Sequence, residues 1–458
     1  MNTFINNNYY IHNAHIVNEG KIIKADVVIQ NGMIKLVLTD NFAIEDILLD
    51  DDTVFIDAEG LYLIPGVIDD QVHFREPGLT HKADMYTESK AAVAGGVTSF
   101  MDMPNTIPNT LTQELLEEKY QLAATKSLAN YSFYMGASND NIAEVLKTDP
   151  NTVCGVKVFM GASTGNMLVD DPQALEQLFA CSKALIAVHA EDESIIRQNS
   201  KTYRDQYGEN VPFDRHAAIR SAEACYTSSA FAVSLAKKYN TRLHVLHLST
   251  AHELELFDHK TPLDKKRITA EVCVHHLWFN YLDYAEQGAL IKCNPSIKSP
   301  DDQMGLLIGL LGNKIDVVAT DHAPHTLEEK DQTYFKSPSG IPLVQHGLLM
   351  MLELYHQGKI TLDKVVEKMA HAPAKCFKID KRGFIRPGNY ADLVLVDLNC
   401  EQEINEDNIL YKCGWSPLEG MTFHSKIVKT FVNGQLVYDN GLFDESVRGE
   451  RLMFNVEQ

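Results

Sequence analysis

The chain has 458 residues, enough for one large core or two packed units. At 45% hydrophobic and 22% charged residues its composition is that of an ordinary globular protein, and no uncharged apolar run approaches the roughly 18 residues of a membrane span. A formal net charge of -21 argues against a nucleic-acid surface, which needs a basic stripe, but not against a small anion held in a local cationic pocket.

The opening MNTFINNNYY lacks the basic-then-apolar shape of a signal peptide. Eight cysteines are scattered without a CxxC pair, the usage expected of free thiols in a reducing compartment, so the cytoplasm is the default expectation. Residues 9–60 hold short alternating segments with a hairpin signal at Asn31-Gly32, and they contain no catalytic cluster. From residue 62 to about 380 short apolar strands alternate with helical stretches. The strands are predicted at 63–74, 96–103, 131–136, 154–161, 184–190, 243–249, 267–276 and 314–321, with surface helices such as 112–129 and 228–240 between them. Eight such units fit a barrel, and an open doubly wound sheet is the alternative. That alternative usually carries a Gly-rich turn after its first strand. The nearest stretch here, GASTGN at 161–166, lacks the Lys-Ser/Thr ending of a phosphate loop and reads as an ordinary βα loop. Beyond residue 380 strands return, with a second Asn-Gly turn at 433–434 and a polar tail. The expected fold is α/β: a (β/α)8 TIM-type barrel over 62–382 beside a small β-sandwich-like domain built from both termini, 1–61 and 383–458.

The chemistry concentrates in PGVIDDQVHFRE, residues 65–76. Strand alternation puts Gln71, His73 and Arg75 on one face, a costly crowd unless a metal or charged ligand pairs with it. His73, His189, His247 and Asp321 fall at or just beyond predicted strand ends, and Lys157 lies within a strand. In a barrel those ends converge on one mouth, and imidazole with carboxylate suits zinc or another first-row metal. Lys157 sits alone in the apolar run VCGVKVFMG; either it ion-pairs with a carboxylate or its amine is carboxylated and becomes an oxygen ligand.

The chain resembles the dihydroorotases of the cyclic amidohydrolase superfamily. The resemblance rests on PGVIDDQVHFREPG (65–78), GGVTSFMDMPNT (95–106), VKVFMG (156–161), VHAED (188–192), LHLST (246–250), NPSIKS (294–299), ATDHAPHTLEEK (319–330) and GFIRPGNYADLVLVD (383–397), and it spans nearly the whole chain. It implies reversible, zinc-dependent interconversion of N-carbamoyl-L-aspartate and dihydroorotate in pyrimidine biosynthesis, with one or two zinc ions. It also implies metal ligands at His73, His189, His247 and Asp321, with Lys157 at the position of an N6-carboxylated lysine. Asp321 is the implied acid/base, Arg75, Asn105 and His325 the residues holding the substrate carboxylate, and Asn294 a residue beside the ring. The family pattern Asp-x-His-x-His departs here to Asp69-Asp70-Gln71-Val72-His73, so Gln71 is a weaker candidate ligand. The implied partner is a small carboxylate-bearing molecule, with no nucleic acid or membrane, and a homodimer is a mild expectation. Two alternatives stand beside this reading: a hydantoinase- or dihydropyrimidinase-like hydrolase, and a non-catalytic homologue acting as a structural partner. The loops at 294–303 and 322–330 are candidates for closing over the site.

Overall fold

A computed structural model describes residues 8–39, 49–161 and 167–456. The first seven residues and most of the 161–166 loop, both read above from sequence, lie outside the described residues.

Five strands open the chain: β1 (Tyr9–Asn18), β2 (Lys21–Gln30), β3 (Met33–Leu38), β4 (Val54–Asp57) and β5 (Tyr62–Pro65). The barrel strands follow: β6 (Val67–Val72), β7 (Val97–Asp102), β8 (Asn130–Phe133), β9 (Met135–Gly136), β10 (Val156–Phe159), β11 (Ile186–His189), β12 (Leu243–Val245), β13 (Ile268–Cys273) and β14 (Val317–Ala319). The last six are β15 (Leu393–Asp397), β16 (Gln402–Glu403), β17 (Thr422–Phe423), β18 (Lys426–Val432), β19 (Gln435–Asp439) and β20 (Leu442–Phe443).

The satellite is one mixed sheet in the order β20-β19-β18-β15-β5-β1-β2-β3, with β4 on β1, so both ends of the chain share it. Its two Asn-Gly hairpins behave as their composition demands: Asn31 and Gly32 have φ of 52° and 79°, Asn433 and Gly434 of 51° and 73°. The two turns abut, and a Cβ built on Gly32 would lie 2.9 Å from the Asn433 carbonyl oxygen.

In the barrel, parallel ladders run β6-β7-β8 and β9-β10-β11-β12-β13-β14. The ring closes between its ends through a parallel bridge from Val72 to His322 and a bond from His73 N to His322 O of 2.7 Å. The closed ring excludes the open doubly wound sheet. Residues of β6 through β12 are buried throughout, as strands covered on both faces should be.

Several predicted elements divide. The stretch 63–74 is two strands in two sheets: β5 pairs with β15 and β1, whereas β6 enters the barrel. The hinge is Gly66, where a Cβ would fall 2.0 Å from Thr98 Oγ1. Residues 131–136 likewise serve two neighbours, β8 pairing with β7 and β9 with β10. The strand predicted to 276 stops at Cys273, and the helix Val274–Trp278 takes over. Of the predicted helices, 112–129 forms at Gln113–Lys126 under a Thr112 cap, and 228–240 begins earlier, at Ala222 under Ser221. The candidate closing segment 294–303 runs into the helix Pro300–Leu311, and 322–330 ends in a helical turn, Leu327–Lys330. The polar tail is not free: Leu452 and Phe454 are buried, and Leu452 N bonds to Tyr131 O on β8. The eight cysteines are unpaired; five are buried, but Cys181 is exposed and Cys400 and Cys413 are half-buried. Among the described residues no helix is long and apolar enough to cross a membrane.

Candidate active site

At the carboxyl ends of the barrel strands lies a cavity of about 240 Å³. Every residue singled out from sequence lines it: Gln71, His73, Arg75, Asn105, Lys157, His189, His247, Asn294, Asp321 and His325. Phe159 and the segment Pro338–Gly340 complete the wall.

The strand ends are locally strained where they turn into the cavity. Arg75, His247 and Asp321 hold φ of 66°, 40° and 46°, in the left-handed region that L-residues avoid. Such conformations cost of order 1–3 kcal/mol each and persist where the surroundings over-determine them, which is typical of functional sites.

One wall carries the metal-ligand types. The Asn105 Oδ1 lies 2.7 Å from His73 Nδ1 and accepts its proton. This leaves the His73 Nε2 lone pair facing Asp321 Oδ1 at 3.2 Å. Burial disfavours charge on His73 and holds its pKa below the usual value against the pull of Asp321, so the ring is neutral. Burial also works against ionisation of Asp321, but nearby positive charge, Lys157 included, outweighs it and keeps the carboxyl below its ordinary range. Opposite, Glu191 Oε2 takes the His189 Nε2 proton at 2.8 Å and is itself held by Arg220 Nη1 at 2.9 Å. The free His189 Nδ1 then points at His247 Nε2, 2.9 Å away, while the buried His247 Nδ1 has no hydrogen-bond partner among the described residues. Burial lowers the pKa of both imidazoles. In the His73–Asp321 pair two lone-pair-bearing atoms converge with no proton to share in the neutral state, whereas His247 can carry its proton on Nε2 and donate it to His189 Nδ1. His73 with Asp321 and His189 with His247 thus form two pairs of metal-ligand type on one wall, though no three of these ligand atoms lie within 4.8 Å of one another.

Lys157 is 1% exposed, and among the described residues its ammonium makes no hydrogen bond or ion pair. It sits 4.7 Å from the Phe159 ring centroid, and burial pushes its pKa down to about 8. Gln71 directs its amide nitrogen, not its oxygen, at the site: Nε2 donates to Asp321 Oδ1 at 3.0 Å, and Oε1 lies 3.9 Å from the Cys273 thiol. In this amide orientation Gln71 braces the acid rather than offering a ligand atom.

The other wall is cationic. Arg75 Nε donates to Pro324 O at 3.1 Å, and Nη2 lies 3.1 Å from His325 Nε2. Lys82 Nζ donates to His325 Nδ1 at 3.0 Å and pairs with Glu329 Oε1 at 3.1 Å. His325 therefore carries its proton on Nε2, toward Ser339 O at 3.1 Å. Burial lowers its pKa well below the usual range, and the Arg75 charge adds to that. Burial likewise draws the Arg75 guanidinium down to about 10, and among the described residues no carboxylate lies within ion-pair distance of it. Asn294 Oδ1 is buried without a partner among the described residues.

Sequence reasoning missed Glu191, Arg220 and Lys82, which orient the lining residues; the Glu two positions after His189 was the available signal. It also missed two buried trios whose ligand atoms lie within 4.8 Å of one another, Cys273–His275–His276 and Asp70–His244–Glu271. Both are consistent with a bound divalent metal, and neither contains a residue proposed as a ligand from sequence.

The fold and site define a barrel enzyme of hydrolase type with candidate metal-binding groups, and comparison with known proteins gives its family. The amidohydrolase family model matches residues 62–437, and the chain belongs to that family. It is thus a hydrolytic or cyclising enzyme of the amidohydrolase superfamily. A dihydroorotase of Methanosarcina acetivorans is 33% identical over 424 residues, covering 90% of this chain and 88% of its own. One from Methanosphaera stadtmanae is 30% identical over 427 residues, covering 93% and 95%. Among solved structures, the L-hydantoinase (dihydropyrimidinase) of Arthrobacter aurescens superposes with a TM-score of 0.88 at 26% identity, covering 95% of this chain and 97% of its own.

Proposed function

We propose that the protein is a dihydroorotase, opening and closing the six-membered cyclic amide between dihydroorotate and N-carbamoyl-L-aspartate. The observation that carries this reading is Arg75: a buried guanidinium lining the cavity, its Nε bonded to a carbonyl and its Nη2 beside the neutral His325 ring rather than a carboxylate. Such a group is matched by a substrate carboxylate, which takes two parallel hydrogen bonds from it. Asn105, Asn294 and the Nε2–H of His325 are the neighbouring polar groups that select and orient the rest of the ring.

In this reading His73, His189, His247 and Asp321 hold the metal. The metal, zinc by donor type, supplies polarisation of the amide carbonyl and acidification of water. Asp321, ionised at neutral pH, accepts the proton of the attacking water and returns it to the leaving ring nitrogen; in the closing direction it accepts the proton of the carbamoyl nitrogen. Glu191 fixes the His189 tautomer, and Asn105 that of His73. Lys157, with its lowered pKa, is partly neutral near pH 8 and adds to carbon dioxide, losing a proton and gaining an anionic carbamate. The direct experiment incubates metal-replete protein with N-carbamoyl-L-aspartate and follows ring closure. Formation of dihydroorotate supports the reading, and its absence removes it.

The likeness to the Arthrobacter hydantoinase favours a second reading, hydrolysis of hydantoin or dihydropyrimidine rings on the same frame. A ring without a carboxylate leaves Arg75 unmatched, so relative turnover of dihydroorotate and dihydrouracil separates the two.

A further inference from the structure

Beneath the cavity, the barrel interior holds polar groups that the reaction does not use. Asp70 on β6, His244 on β12 and Glu271 on β13 are each fully buried. His244 Nε2 lies 3.1 Å from Asp70 Oδ2 and 3.5 Å from Glu271 Oε2. Neither contact has hydrogen-bond geometry: both Asp70 carboxylate oxygens, Glu271 Oε2 and His244 Nε2 lack a hydrogen-bond partner among the described residues. Four orphaned polar atoms converging in a dry interior are costly if left so.

The other atoms of the trio are tied in a way that fixes its electronics. The Thr269 hydroxyl donates to Leu243 O at 3.3 Å and accepts from His244 Nδ1 at 2.7 Å. With its proton on Nδ1, the neutral imidazole presents a lone pair at Nε2 to two carboxylates. Glu271 Oε1 is already occupied, accepting from His247 N at 2.9 Å, so only Oε2 faces the gap. The spacing is also informative. Ligands about 2.0–2.2 Å from a tetrahedral zinc stand about 3.3–3.6 Å apart; the observed 3.5 Å falls inside that range and 3.1 Å a little below it.

We propose that Asp70, His244 and Glu271 bind a divalent first-row metal of their own, a structural ion in the barrel interior distinct from the catalytic cavity. One nitrogen and two carboxylates form a hard-to-borderline donor set suited to zinc or manganese. Through the Glu271–His247 bond the ion braces the backbone of His247, whose φ of 40° needs external support. The competing occupant is a proton. Burial opposes it, but the two carboxylates outweigh burial and lift His244 to about 9, so a buried imidazolium would also satisfy the charges.

The test is elemental and crystallographic, and it is independent of which ring the enzyme opens. Crystals of the intact protein grown with zinc, measured at the zinc edge, should show an anomalous peak coordinated by Asp70, His244 and Glu271 and separate from any peak in the cavity. A second arm compares the metal content of unmodified protein with that of Asp70→Asn, an isosteric change outside the cavity lining. The expected result is a loss of one metal equivalent per chain in Asp70→Asn and no loss in Arg75→Met. Anomalous density confined to the cavity, or density nowhere, overturns the proposal in favour of the imidazolium. Metal content unchanged in Asp70→Asn overturns it as well. If Asp70→Asn does not fold, the anomalous map of the unmodified protein decides alone.

Discussion

The two walls of the cavity are built from similar residue types and do opposite things. On one, His73, Asp321, His189 and His247 gather groups of metal-ligand type, with Asn105 fixing the far nitrogen of His73 and Glu191 that of His189, so the wall suits a cation. On the other, Arg75 and the Nε2–H of His325 present donors, while Glu329 is taken up by Lys82 behind them, so that wall suits an anion. A histidine thus tells little by itself. His73 and His325 differ because Asn105 accepts a proton from one ring, whereas Lys82 donates one to the other.

The largest effect should come from breaking the cation-seeking wall at its acid. Asp321→Asn keeps size but removes the base, and kcat should fall about 10²–10⁴-fold, read by steady-state turnover in both directions. Breaking the anion-seeking wall should act mainly on binding. Arg75→Met should raise KM for dihydroorotate by about 100-fold, the scale of a lost charge-assisted pair, with metal content unchanged. If KM stays put, Arg75 is not a clamp.

Smaller effects test the supports behind each wall. Glu191→Gln should weaken metal binding about 10–100-fold, measured by competition with a chelator, because His189 loses its orienting carboxylate. The same residue sets part of the acid stability. Burial opposes its charge, but Arg220 and His189 prevail and hold its pKa at about 2 in the folded chain against an ordinary 4.5. Its contribution, on the order of 3 kcal/mol, is therefore complete above pH 4.5 and disappears as pH falls from 4.5 toward 2. Urea denaturation of metal-free protein across that interval should show unmodified chain and Glu191→Gln converging as the solution is acidified. A gap that stays constant would contradict the assignment. Smallest of all, Lys82→Met should free the His325 ring and cost a few-fold in KM for dihydroorotate, on the scale of one neutral hydrogen bond, with Lys82→Arg recovering part of it.

Much of this was legible in the chain because strand ends in a barrel are few and their side chains must converge. His73, Lys157, His189, His247 and Asp321, scattered over 248 positions in sequence, line one cavity for that reason. The Asn-Gly turns were equally readable, since two successive left-handed residues leave few choices. What sequence left hidden depends on direction rather than residue type. Gln71 reads as a weak ligand until its amide nitrogen is seen to face Asp321. The run 63–74 reads as one strand because nothing in its pattern marks the change of sheet; only the lack of room beside Thr98 explains Gly66. Glu191 and Arg220, 29 positions apart, are an ordinary acid and base until the fold sets them behind His189.

The most direct test of the central claim compares kcat/KM for dihydroorotate with that for dihydrouracil, which lacks the carboxylate, in unmodified protein and in Arg75→Met. The account predicts strong preference for dihydroorotate in the unmodified enzyme, and collapse of that preference, chiefly through KM, in the variant. Comparable turnover of dihydrouracil by the unmodified enzyme, or a preference that survives the loss of Arg75, would contradict it.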